Sequence, residues 1–286
     1  MKLVVELKEK SLIDKFLDVD GFIINLEGLS CYYDELCPME ELEEVIKKIH
    51  QNNQKVYLNA RKIFHENELD NLDQLLDRLL ELEIDYYFYG DVTFYEMACK
   101  KHFTDKLIYQ VNTYMTNHLD IMVMLKENHS VVVSTEVSFD ELKDITNKVK
   151  EPLYIHSFGY YPIFHSRREL ITNYQKYRQI EVDTSSNYDI VEELRESHYP
   201  IEQNENGMAV YLDGAYCLAE EIKELGLDNY YVITSKFIET NDFEKIVDIY
   251  NKEEFDKLPT IDIIYTKGLL YEKSKLLKKE GGASCE

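Results

Sequence analysis

The feature that most constrains the fold is a repeated alternation of short apolar runs with amphipathic helical stretches. Because parallel strands need helical crossovers, this rhythm predicts a parallel α/β sheet. Eight such units predict a TIM-like (β/α)8 barrel, with a doubly wound open sheet as the alternative. The eight runs with the length and composition of buried strands cover residues 3–7, 21–26, 55–59, 85–89, 107–110, 130–134, 153–157 and 230–234.

The length and the one break in the rhythm predict how the chain is organised. With 286 residues, the chain is close to the roughly 250 residues typical of such a barrel. We therefore expect one barrel domain over residues 1–286. Residues 158–213 are polar and Tyr-rich, which predicts an irregular excursion after strand seven. The polar tail at 273–286 is expected to be disordered.

Local signals predict where several helices begin and end. Ser138 with Glu141 three residues later forms a capping-box pattern. Gly226 is a plausible C-cap for a helix over 216–225. Ser11 is expected to cap a short helix over 11–17.

Charge and cysteine usage limit the environment and the partners. A net charge of −23 repels phosphate backbones at long range, so RNA contact requires a local basic patch or a basic partner. No apolar run approaches the ~18 residues that cross a bilayer, which predicts a cytoplasmic protein with no membrane role. Scattered thiols without a paired motif indicate a reducing compartment, and we expect no metal site. The cysteines are Cys31, Cys37, Cys99, Cys217 and Cys285.

In a (β/α)8 barrel, functional side chains gather at the carboxyl ends of the strands. Candidate substrate-binding residues at these ends are Asn59, Asp91, Asn112, Glu136, His156 and Lys236. Asn25, Glu27, Arg61 and Gln110 also lie at strand ends. Alternative roles remain open, because Asp91 is placed to cap the next helix and Glu136 to favour a helix dipole.

The segment 159–178 is basic and aromatic in an otherwise acidic chain. It holds three of the six arginines, including Arg167 and Arg168, and its only acidic residue is Glu169. Arginine pairs with carboxylate or phosphate, and tyrosine stacks on bases, so we add Ser166, Arg167 and Arg168 to the candidate binding residues. The alternative is a solvated loop held to the acidic barrel by salt bridges.

The His165–Ser166 pair suggests a hydrolase, but neighbouring residues on a strand or helix point in different directions. The chain has no GxSxG, HExxH, P-loop or GxGxxG motif, so zinc, ATP and NAD are not implied. The catalytic residues stay unknown, and the sequence leaves open whether the chain turns over a substrate.

The same window carries a resemblance to a known family. Gly159, Ser166 and Arg168 match a motif in which a seven-residue step from Gly leads to Ser and then to Arg-Cys, while Pro162 and Glu169 occupy its two cysteine positions. The chain thus resembles the collagenase-like peptidase family U32. Further weak matches, in the same order as in the family, lie at 56–59, 90–91, 112–117, 135–138, 198–211 and 265–272.

The resemblance implies a function and a division of labour. Cysteine-bearing members resemble iron–sulfur proteins that hydroxylate RNA bases or ubiquinone precursors, and a [4Fe–4S] cluster needs four thiolates. The form of the motif here resembles short, cysteine-free members that accompany a longer paralogue in prephenate-dependent hydroxylation of the tRNA wobble uridine.

The implied role is an accessory or partner subunit with no cofactor of its own. Any iron–sulfur cluster would belong to the longer, cysteine-bearing U32 paralogue, and the basic window would hold tRNA or a prephenate-like metabolite, or dock the paralogue. Two alternatives remain: a collagenase-like peptidase, and a barrel that binds an acidic small molecule through Arg167, Arg168 and Lys236.

Overall fold

The computed structural model describes residues 1–127, 129–181, 183, 188–191, 193 and 197–272. The strands are β1 (Lys2–Glu6), β2 (Gly21–Asn25), β3 (Lys55–Ala60), β4 (Tyr86–Tyr89), β5 (Leu107–Tyr109), β6 (Ser130–Val131), β7 (Tyr154–Gly159), β8 (Pro162–Ser166), β9 (Tyr188–Val191), β10 (His198–Asn204), β11 (Gly207–Tyr211), β12 (Ala215–Cys217), β13 (Tyr230–Ile233) and β14 (Tyr265–Thr266). The helices are α1 (Met39–Gln51), α2 (Leu69–Leu80), α3 (Val92–Lys101), α4 (His118–Lys126), α5 (Phe139–Lys148), α6 (Leu170–Arg178), α7 (Ile222–Leu225) and α8 (Thr240–Lys252).

Eight parallel strands close on themselves. Strands β1 to β6 pair in chain order, and β13 pairs with both β1 and β7. A parallel bridge joins Val132 to Tyr154, and the Val133 amide donates to the Tyr154 carbonyl at 2.9 Å, which links β6 to β7. The predicted (β/α)8 barrel is confirmed, and the open-sheet alternative is excluded by this closure.

The barrel interior has two layers of different chemistry. Because side chains alternate between the faces of a strand, residues two apart point to the same side. The lower layer is apolar and consists of Val4, Ile23, Tyr57, Phe88, Ile108, Val132, Tyr154 and Val232. The upper layer lies two residues further along each strand, toward the carboxyl ends, and consists of Glu6, Asn25, Asn59, Gly90, Gln110, Ser134, His156 and Thr234. The lower layer fills the barrel, whereas the upper layer lines its mouth.

Helices cover the outside of the barrel and bury the apolar stripes that the sequence places at helical spacing. In α1 the buried residues are Leu42, Val45, Ile46 and Ile49. Ser138 caps α5 in a complete capping box with Glu141, as predicted. No described helix combines the length and apolarity that crossing a bilayer requires.

The excursion after strand seven is present, and it carries regular structure. Strands β8, β11, β10 and β9 form an antiparallel sheet in that order, which we call the cover sheet. The turn between β10 and β11 ends at Gly207, whose φ is +109°. A Cβ at this position would lie 2.0 Å from the Ser166 carbonyl oxygen, so the turn requires glycine.

Two local predictions are wrong. The predicted helix over 216–225 begins instead as strand β12, and only α7 is helical. Tyr216 pairs with β7 and β14, so tertiary pairing overrides the local helical pattern. Ser11 lies inside a short 3₁₀ turn, Lys10–Ile13, rather than capping a helix. The tail at 273–286, with Cys285, lies outside the described residues.

Candidate functional site at the barrel mouth

A chain of hydrogen bonds links buried polar residues of the upper layer. The Glu6 carboxylate accepts from Asn25 Nδ2 at 2.7 Å and from the Ser235 amide at 2.8 Å. Asn59 Nδ2 donates to Asn25 Oδ1 at 2.8 Å. Glu6, Asn25 and Asn59 are all buried. A buried carboxylate needs such donors, so the chain both satisfies Glu6 and fixes the two amides.

Arg61 continues this chain into the mouth. Its Nε donates to Asn59 Oδ1 at 3.0 Å, and its guanidinium carbon lies 5.3 Å from the centroid of the Tyr32 ring. Among the residues that the structure describes, no carboxylate forms an ion pair with Arg61. The guanidinium is thus positioned by neutral partners, and no carboxylate in the described part of the chain compensates its charge.

A neutral histidine stands beside this cation. His156 is buried, and its Nε2 lies 2.7 Å from Gln110 Nε2. An amide nitrogen only donates, so His156 Nε2 accepts. Burial, and to a lesser degree the nearby charge of Arg61, lower the pKa of His156 to about 3. The imidazole is therefore uncharged at neutral pH and is not tuned for proton transfer there.

A cavity of about 260 Å³ opens above these residues. The cover sheet forms one side of it through Pro162 to His165. Hydrogen bonds anchor this sheet to the barrel: Asn112 Nδ2 donates to the Pro162 carbonyl at 2.9 Å and Asn206 Nδ2 to the Ser30 carbonyl at 3.0 Å. The lining includes Tyr32, Arg61, Gly90, Gln110, Glu136 and His165. The cavity thus combines one cation, one exposed acid at the rim and several neutral polar groups.

Four of the six strand-end candidates lie around this mouth. Asn59 and His156 belong to the upper layer, Glu136 and Asn112 line the cavity, and Asn112 also anchors Pro162. Asp91 has the structural role that the sequence analysis gave as its alternative, which is capping the next helix. Its Oδ1 accepts from the Thr93 amide at 2.7 Å and caps α3.

The remaining candidates point to other partners. Lys236 is buried and donates to Glu202 Oε1 and to the Tyr33 carbonyl, both at 2.6 Å. Ser166 Oγ accepts from the Arg168 amide at 3.2 Å, and the Arg168 side chain is exposed. Ser166, Arg168 and Lys236 are therefore not brought together around the cavity.

Arg167 is also occupied within the chain. Its guanidinium lies 2.9 Å from the Glu68 carboxylate. Burial favours a higher pKa for Glu68, but hydrogen bonds from Lys62 and the His65 amide, with the charge of Arg167, lower it to about 2. Glu68 is thus ionised at neutral pH and compensates Arg167, so this pair matches the salt-bridge alternative for the basic window.

The geometry of the nucleophile candidates does not favour hydrolysis. His165 Nε2 donates to the Asn206 carbonyl at 3.2 Å, and its neighbour Ser166 points to the opposite face of β8. Burial raises the pKa of the Cys31 thiol to about 12. A thiol this far from ionisation is inert as a nucleophile at neutral pH.

Sequence reasoning missed Glu6 and Tyr32 and did not select Arg61. One sequence signal could have identified Glu6, because it is an acidic residue within the apolar run of the first strand. Arg61 follows Asn59 by two residues, which suggested a strand end but not the hydrogen bond between them.

The residues at the motif positions do not fit an iron–sulfur cluster. Pro162 has no side-chain donor atom, and Glu169 lies at the N-cap of α6. Within the described ranges, no group of three or more His, Cys, Asp or Glu residues is placed to bind a metal ion. Cys31, Cys37, Cys99 and Cys217 are free thiols.

Comparison with known proteins assigns the family. The model of peptidase family U32 matches residues 30–258. The chain belongs to peptidase family U32. The predicted resemblance to this family is thereby confirmed. A solved structure of the U32 peptidase Mk0906 superposes with a TM-score of 0.53 at 14% identity, over 84% of this U32 chain and 94% of that protein. This likeness supports the shared fold.

Two curated relatives align with this U32 chain. One is the tRNA hydroxylation protein P2 of Bacillus subtilis, 26% identical over 203 residues, which cover 68% of this chain and 65% of that protein. The other is an uncharacterised protease of Methanocaldococcus jannaschii, 30% identical over 112 residues, 39% of this chain and 27% of the relative. The matches thus span less than two thirds of either relative.

Proposed function

We propose that this U32 chain is an accessory subunit of a cytoplasmic complex that hydroxylates the wobble uridine of tRNA. The observation that carries the proposal is the similarity to the tRNA hydroxylation protein P2, at 26% identity over 203 residues. The U32 fold and the barrel mouth are compatible with this role.

The redox centre is assigned to a partner. Pro162 and Glu169 replace the two motif cysteines, and the described cysteines are dispersed over the barrel. In this proposal a longer, cysteine-bearing U32 paralogue supplies the iron–sulfur cluster that the hydroxylation requires.

One surface of the chain supports contact with tRNA. Helix α6 exposes Tyr174 and Tyr177, together with Lys176 and Arg178. Tyrosine stacks on unpaired bases, and the two cations attract phosphate at short range despite the overall negative charge. The proposal assigns this face to tRNA; a prephenate-like acid is the co-substrate that the resemblance implies.

Deletion of the gene tests the role. We expect the 5-hydroxyuridine derivatives of the wobble position to fall sharply, as measured by mass spectrometry of tRNA nucleosides, and to return when the wild-type gene is restored. The strain must lack any second pathway to the same nucleosides. Unchanged modification in that strain would refute the proposal.

Charge reversal on α6 tests the surface. Restoring the gene with Lys176→Glu and Arg178→Glu together is expected to leave the modification incomplete. The matched control reverses Lys245 and Lys252 on α8, which makes the same charge change elsewhere. Equal modification with both variants would remove the tRNA assignment from α6 and favour docking of the paralogue at another face.

Anaerobic purification of the tagged chain from its own cells tests the division of labour. We expect a cysteine-bearing paralogue to co-purify with iron and sulfide. Iron and sulfide bound by the isolated chain itself would contradict the assignment of the cluster to a partner.

A further inference from the structure

We propose that Arg61 is the receptor for the carboxylate of a small organic acid, which binds in the cavity at the barrel mouth. This deepens the proposed function, which includes an organic acid as co-substrate, by naming the residue that would bind it; the binding itself requires neither tRNA nor a second subunit. The inference stands on the geometry of Arg61 and on the charges and volume around it.

The guanidinium of Arg61 is positioned to bind a planar anion. Its Nε is occupied by Asn59, and Asn59 is fixed in turn by Asn25 and by the Cys31 carbonyl at 2.8 Å. The guanidinium carbon lies over the Tyr32 ring. The two terminal nitrogens remain for a ligand, and their parallel N–H groups match the two oxygens of a carboxylate.

The charge of Arg61 distinguishes it from other cations at this end of the barrel. Lys8 pairs with Asp34, Arg167 with Glu68 and Lys236 with Glu202. A half-buried cation without a counter-ion is unfavourable, so an anion from solution gains affinity by compensating it. Glu136 stands at the exposed rim, where water and salt screen its charge.

The surroundings of Arg61 favour a monoanion with an apolar body. His156 is neutral and adds no second positive charge to hold a phosphate dianion. Tyr32, Pro162 and Phe164 contribute apolar surface to the lining. A cavity of about 260 Å³ equals roughly nine water molecules at ~30 Å³ each, which suits a small metabolite.

Titration calorimetry of the full chain with two isosteric probes tests the proposal. We expect benzoate to bind at least about tenfold more tightly than benzamide, since only benzoate forms the charge-assisted pair. Arg61→Gln should weaken benzoate by at least about tenfold and leave benzamide unchanged. Arg61→Lys keeps the charge without the planar fork, so its affinity should be intermediate.

Arg78→Gln is the matched control, because Arg78 lies exposed on α2 and loses the same charge far from the mouth. Circular dichroism melts establish that each variant is folded, and Arg61→Lys keeps the test valid if Arg61→Gln does not fold. Equal affinity for benzoate and benzamide, an unchanged affinity in both Arg61 variants, or tighter binding of inorganic phosphate would each overturn the proposal. None of these results bears on tRNA modification in cells, so the two proposals fail separately.

Discussion

The two layers of the barrel interior come from the same strands and differ in almost every physical respect. In the lower layer, aromatic rings such as Phe88, Tyr57 and Tyr154 pack with centroids 5.6 to 6.1 Å apart. Two residues further along, the upper layer replaces packing with the hydrogen-bonded chain from Glu6 to Arg61. The fold thus separates the part of each strand that stabilises the barrel from the part that lines its mouth.

The largest expected effect lies in the lower layer. Phe88→Ala leaves a cavity among buried rings and should lower the free energy of unfolding by about 3–5 kcal/mol. Urea titration measures this loss, and Tyr177→Ala on exposed α6 should change stability by less than about 0.5 kcal/mol. Benzoate affinity of the folded variant should stay unchanged. Weaker benzoate binding by the folded Phe88→Ala variant would show that the lower layer also contributes to binding, contrary to the separation of roles between the two layers.

The upper layer is expected to couple stability with binding. Asn59→Ala removes the donor to Asn25 Oδ1 and the acceptor of Arg61 Nε, and should lower the free energy of unfolding by about 2–3 kcal/mol. The released guanidinium should also bind benzoate more weakly. Asn147→Ala on the exposed side of α5 is the control. Full benzoate affinity in Asn59→Ala would mean that Arg61 needs no support from the upper layer.

The pH dependence of stability tests a second residue of the upper layer, His156. His156 has a folded pKa of about 3, below the ~6.5 of an unfolded histidine. The unfolded chain therefore binds the proton first, and stability falls as pH drops from 6.5 toward 3. Between pH 6.5 and 5 this group should cost about 2 kcal/mol.

Urea titrations at several pH values check this expectation with His156→Asn, whose stability should vary less over that range. His102 is exposed with a φ of +62°, which asparagine also tolerates. His102→Asn should therefore keep the wild-type slope. An identical slope in both variants would contradict the buried, neutral state of His156.

The smallest effect is expected from the basic window. Arg167→Gln breaks the partly buried pair with Glu68 and should cost about 1 kcal/mol, near the upper end for ion pairs that water still reaches. Lys47→Gln, in the exposed pair with Glu43, should cost less, because water and salt screen that pair fully. Benzoate affinity should be the same in both variants and in wild type. A loss of benzoate affinity in Arg167→Gln alone would indicate that Arg167 contributes to the binding site.

The fold was largely predictable because its signals are local. The stripe of α1 and the Ser138–Glu141 box depend on residues within one or two turns of each other. The strand at β12 was missed because Tyr216 becomes extended only by pairing with β7 and β14, which are distant in sequence. Local periodicity carries no information about such partners.

The candidate site was predictable only in part, for the same reason. Asn59 and His156 were selected because they end strands, which is a local property. The link from Asn59 to Asn25 depends on the register that places them side by side across β2 and β3. Arg167 was selected by charge alone, since its partner Glu68 lies 99 residues away.

Gly159 shows that a position in a family motif can have a purely architectural role. Its φ is +121°, and a Cβ there would lie 2.1 Å from Thr234 Oγ1, so any side chain would force apart the seventh and eighth barrel strands. This glycine is therefore required by the spacing between two adjacent barrel strands, whichever residues occupy the neighbouring motif positions. Within one family motif, the positions that shape the fold and the positions that bind a ligand are under separate constraints. A match at the architectural positions therefore does not indicate that a chain transfers electrons.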